Sequence, residues 1–123
     1  MSEDFRDLLV EGSRSERFGR FFNEINIRHK FGLSIQASDA HACEPFETLD
    51  DLTQYVEWEV AISQRDRPIL QPDYGAWERF KDRPWAAKFS SHMGDAVVGA
   101  DFVPTETVQQ IYEDLLEDAR KNP

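Results

Sequence analysis

What the 123-residue chain lacks narrows its reading first. It has one cysteine, Cys43, so no internal disulfide is available and the fold must hold by packing. Six glycines and six prolines are too few for a low-complexity or linker protein. Apolar runs are short, as around Ala96-Val97-Val98, and none has the length of a membrane span. The N-terminal Met1-Ser2-Glu3-Asp4 is acidic, without the basic-then-apolar pattern of a signal peptide. With a single thiol, the expected compartment is therefore the reducing cytoplasm.

Bases are scarce, and two long stretches have none. Twenty-four Asp and Glu stand against fourteen Lys and Arg, a net charge of −10. Residues 31–64 carry Asp39, Glu44, Glu47, Asp50, Asp51, Glu57 and Glu59 with no Lys or Arg. Residues 89–119 carry Asp95, Asp101, Glu106, Glu113, Asp114, Glu117 and Asp118, again with no base. A field of this sign repels phosphate backbones and anionic membranes and attracts cationic partners. The basic stretches 13–30 and 65–88 can pair with these segments, but the acids remain in excess by ten.

Aromatic bulk is present: nine Phe, three Trp and three Tyr argue for a packed core. The length and the lack of a linker or repeat predict one domain over 1–123. Periodicity predicts an α+β, predominantly helical fold of about five or six short helices with one or two short strands. Helices are expected over 3–11, with Ser2 as cap, and from the capping box Ser13-Arg14-Ser15-Glu16 through Phe18, Phe21, Phe22 and Ile25. A third is expected over 48–63 on the stripe Leu49, Leu52, Val56 and Val60. Two more follow Asp73 and Pro84, and the last runs from Thr105 with Val108, Ile111, Tyr112, Leu115, Leu116 and Ala119 inward. Strands are expected over about 30–37 and 96–102.

Few constellations point to chemistry. His41-Ala42-Cys43-Glu44 gathers an imidazole, a thiol and a carboxylate, the parts of an activated nucleophile. With one Cys, and with His29 and His92 lacking partner spacing, no metal site or cofactor is expected. Gly94 to Gly99 has the glycine spacing of a phosphate loop but not its Lys or Ser/Thr. Trp77 to Phe89 interleaves bases with aromatics, which two short helices explain as core.

The acidic helical faces are the remaining feature. That of the last helix is an ordinary solvated face. Away from its apolar stripe, the third helix holds Asp51, Tyr55, Trp58 and Ile62, flanked by Glu57 and Glu59. Either that helix is buried on two sides, or the patch is a carboxylate-rimmed binding surface. The leading expectation is a small cytoplasmic interaction module, an inhibitor or immunity-type protein. It would dock this surface onto a basic protein, such as a nuclease or nucleic-acid-binding protein, without touching nucleic acid itself. The alternatives are a small enzyme or ligand-binding domain using His41, Cys43 and Glu44, perhaps with His92, and an accessory subunit of a larger complex.

Overall fold

The alternation Glu57-Trp58-Glu59-Val60-Ala61-Ile62-Ser63 sets the centre of the structure. The computed structural model describes residues 3–71, 75–92 and 94–122. Among the described residues, seven strands form two antiparallel sheets. β1 (Glu11–Ser15) and β2 (Gly19–Phe22) make a separate hairpin. β3 (Ile25–Ile27), β4 (Phe31–Gln36), β5 (Glu57–Gln64), β6 (Ser90–His92) and β7 (Val97–Pro104) make a five-stranded sheet in the order β3-β4-β5-β7-β6. The single α-helix among the described residues, α1 (Thr105–Lys121), packs against β3, β4, β5 and β7. Four short 3-10 turns complete the set: Phe5–Leu8, Leu52–Gln54, Ala76–Arg79 and Pro84–Lys88.

The expectation of a predominantly helical chain is therefore corrected to a mainly β one. The expected helix over 48–63 is a 3-10 turn followed by β5, because period-2 burial outweighs the i, i+4 stripe. Trp58, Val60 and Ile62 are buried on one face of β5, and Val56 of the supposed stripe is exposed. The expected helix from Ser13 is the β1–β2 hairpin, with Phe18 and Phe21 exposed. The expected helices over 3–11 and after Pro84 shrink to single 3-10 turns. Of the one expected after Asp73, the Ala76–Arg79 turn is present; Asp73 and Tyr74, like Ser2, lie outside the described residues. The strands expected over 30–37 and 96–102 are β4 and β7, and the last helix is present, but Thr105, expected as its cap, is its first residue behind Pro104, its hydroxyl donating to the Tyr55 carbonyl instead.

One face of the sheet is covered and the other is open. Leu33, Ile35, Trp58, Val60, Ile62, Val98 and Val103 meet Val108, Ile111, Tyr112, Leu115 and Ala119 of α1 in the buried core. Each fully buried Val, Leu or Ile among them contributes roughly 1.5–3 kcal/mol by leaving water. Trp77, Phe80, Trp85 and Phe89 extend this core as a chain of edge-on and tilted rings, which accounts for the aromatic run as packing. On the opposite face the register aligns small residues across four strands, Ser34, Ala61, Gly99 and Ser90, leaving a shallow floor.

Candidate functional site

The residues expected to bind a partner divide between core and surface. Trp58 is fully buried, its Nε1 donating to Thr105 Oγ1 at 3.0 Å and its ring edge-on to Phe5 at 5.2 Å. Tyr55 is buried, its hydroxyl donating to the Glu47 carbonyl and accepting from the Leu49 N–H. Ile62 is buried in the sheet core. Asp51 is exposed and caps the Leu52–Gln54 turn; hydrogen bonds from Thr53 hold its carboxyl below the usual range. The aromatic docking face of Tyr55, Trp58 and Ile62 is thus corrected: alternation in β5 turns Trp58 and Ile62 into the core, and Tyr55, just after the Leu52–Gln54 turn, is buried with its hydroxyl held by the 47–49 backbone. Glu57 and Glu59 are half-buried on the opposite, open face.

The His41–Glu44 loop does not assemble a nucleophile and base. Cys43 is fully buried, its thiol donating to the Ser38 carbonyl at 3.2 Å, and burial pushes the thiol pKa up. His41 Nδ1 pairs with Ser38 Oγ at 2.6 Å rather than with sulfur. Glu44 points elsewhere in role: it forms an antiparallel bridge with Glu57. His92 is on β6, its ring over Gly99 on the far side of the open face. Among the described residues no three His, Cys, Asp or Glu side chains gather as a metal site.

What the loop does is brace two residues that line a groove, Glu59 and Phe102. The Ala42 N–H donates to Glu59 Oε1 at 3.1 Å, and the Phe102 N–H donates to the Ala42 carbonyl at 3.1 Å. The second bond is available because β7 bulges here: Asp101 and Phe102 together face Glu59, between the pairs Trp58–Val103 and Val60–Ala100. Phe102 adopts φ +53°, a left-handed conformation that is costly for a bulky side chain. The resulting cavity, about 570 Å³, has Ala61, Gly99 and Ser90 on its floor. Glu57, Glu59 and Asp101 line it, against Lys88 and His92.

The end of the sheet around this groove is both acidic and apolar. Among the described residues, Glu44, Glu47, Glu57, Glu59 and Asp101 form no salt bridge. The Glu44–Glu57 bridge sets two acids opposite each other, an arrangement that destabilises a sheet when nothing neutralises it. Phe46, Val56 and Phe102 are 61%, 57% and 47% exposed at the same end. The last acid-only segment behaves differently on α1, where Asp114, Glu117 and Asp118 pair with Arg83, Lys121 and Arg79.

Sequence reasoning reached Glu57 and Glu59 but not Asp101, Phe46, Val56 or Phe102. The absence of bases from 31–64 and 89–119 was the available signal for the first of these. The apolar three carry none, because their exposure depends on the bulge and on the Glu44–Glu57 bridge. The hairpin belongs to the same end: buried Arg20 of β2 donates to the carbonyls of Ala37 and Leu49 and so fixes the 37–50 loop. Compared with protein-family models, curated proteins and solved structures, the chain matches none.

Proposed function

We propose that the protein is an interaction module that docks the acidic end of its sheet onto a cationic protein partner. One observation carries the reading: the two base-free segments bring Glu57, Glu59 and Asp101 to one groove, with Glu44 bridged to Glu57, and among the described residues none of these carboxylates forms a salt bridge, while Phe46, Val56 and Phe102 are exposed. Carboxylates at such a surface steer encounter and reject anionic competitors, while apolar side chains that lose water on docking hold the complex. The anchors in this reading are Phe46, Val56 and Phe102, in place of the buried Trp58. Three acids facing Lys88 leave the groove negative, which suits a partner's Lys or Arg side chain lying over the small-residue floor. An inhibitor of a nuclease or another nucleic-acid-handling protein fits this logic, since an acidic surface can occupy a cleft made for phosphates.

Affinity capture from extract of the source cells, comparing the wild-type chain with the Glu57→Gln/Glu59→Gln/Asp101→Asn variant, tests the reading. A basic protein retained by the wild type, lost by the triple variant and kept by Glu106→Gln on α1 supports it. Retention of the same proteins by wild type and triple variant contradicts it.

A further inference from the structure

The turn that follows β4 contains a buried imidazole that neither the core nor the docking surface accounts for. His41 is only 5% exposed, and its Nε2 has no hydrogen-bond partner among the described residues. Its ring meets Phe21 of the hairpin edge-on, with centroids 4.6 Å apart. Ser38, which holds Nδ1, is itself pressed against the hairpin: a Cβ at Gly19 would lie 2.5 Å from Ser38 Oγ, and Gly19 has φ +74°. Ala42, the residue after His41, ties this turn to Glu59 and to the β7 bulge, which line the groove. One turn therefore joins the hairpin to the acidic end, with His41 at the junction.

We infer that His41 is a pH-responsive latch: its neutral ring holds the turn that joins the β1–β2 hairpin to the groove-lining Glu59 and β7 bulge, and its protonation releases that joint. The consequence for binding rests on the docking reading above; the latch itself does not.

The hydrogen bonding favours the neutral ring. Ser38 Oγ already accepts from the Ala40 N–H, so its own hydrogen is free to point at Nδ1. An imidazolium has a proton on both nitrogens. Ser38 Oγ would then have to turn its hydrogen away and take Nδ1–H on its second lone pair, while Nε2–H, already unpartnered in the neutral ring, would become part of a buried cation with no acceptor among the described residues. Burying such a group is costly enough that the ring must move to water or the turn must open. The charges that face it are Arg20 on β2, Glu59 on β5 and Asp39 in its own turn. Arg20 opposes protonation and the two carboxylates favour it, while burial outweighs each of them and holds the imidazole below its ordinary range. The sum is a ring that is neutral near pH 7 and charges only as the turn loosens.

The test is an NMR titration of the whole chain carrying labelled histidine and labelled backbone amides. His41 should titrate below the ordinary imidazole range, and the amides of Gly19, Phe21, Ala42 and Phe102 should move with the same midpoint. Those amide shifts should vanish in His41→Phe, with His41→Gln as the second neutral variant should the larger ring disturb packing. A His41 that protonates while these amides stay still overturns the latch. So does one that stays neutral until the whole chain unfolds, or amide shifts that persist in both variants. A deca-lysine peptide separates the latch from the docking reading. Its affinity should fall about tenfold more across the His41 midpoint in the wild type than in His41→Phe. Absence of deca-lysine binding at any pH, with the amide titration as expected, contradicts docking and leaves the latch standing.

Discussion

Trp58 is the residue on which two accounts of the protein divide. As an exposed anchor its loss would shorten a complex's lifetime; in the core its loss leaves a cavity beneath α1 and orphans Thr105 Oγ1 as an acceptor. Trp58→Ala should therefore cost about 3–5 kcal/mol of stability in urea unfolding. A midpoint equal to the wild type contradicts its placement. Cys43 provides a second residue-level test. Its buried thiol should react slowly with iodoacetamide in the folded state at neutral pH, because burial raises its pKa and closes access. Fast labelling without unfolding would count against the packed loop. His41 gives a pH dependence whose sign is fixed. Its folded pKa lies below the unfolded value of about 6.5, so the unfolded chain takes up the proton first. Its contribution is complete above that value and is lost as pH falls toward the folded pKa, a slope that His41→Phe should flatten in urea titrations.

At the scale of the element, the β7 bulge exchanges backbone comfort for surface. Phe102 at φ +53° bears a conformational cost that glycine would not, while glycine loses entropy on folding. Phe102→Gly should thus stay within about 1 kcal/mol of wild-type stability, the two terms offsetting, yet weaken docking. Loss of several kcal/mol would show that the side chain is structural. The elements differ in how far the sequence reveals them. α1 was legible because its apolar positions repeat at helical spacing over 17 residues. β4 and β7 were legible from alternation. β5 was not, because Leu49, Leu52, Val56 and Val60 fit a helix while Trp58, Val60 and Ile62 fit a strand, and only tertiary pairing with β4 and β7 decides between them. The hairpin was hidden by Ser13-Arg14-Ser15-Glu16, whose residue types suit a helix cap equally well. The carboxylates of the site could be read as an absence of bases, whereas its apolar members could not, since a bulge and an isolated bridge expose them.

For the whole molecule, what matters is where the excess of ten acids goes. Of the five acids of α1, Asp114, Glu117 and Asp118 pair with Arg83, Lys121 and Arg79 while Glu106 and Glu113 form no salt bridge among the described residues, so that side of the protein is partly compensated. The acids of 39–59 meet the basic hairpin only at Asp50, which contacts Arg14 and Arg20. Negative potential therefore gathers at the groove end. Docking there should slow markedly between low and physiological salt, where screening acts over about 8–10 Å. Mapping where a cation binds tests this directly: amide shift changes on titrating the chain with deca-lysine at low salt, residue by residue. The account predicts the largest changes at Glu44, Phe46, Val56 to Glu59, Asp101 and Phe102, fading as salt is added. Changes of equal size along Glu106, Glu113 and Glu117 of α1 would mean that the peptide follows net charge alone, and would contradict a docking end.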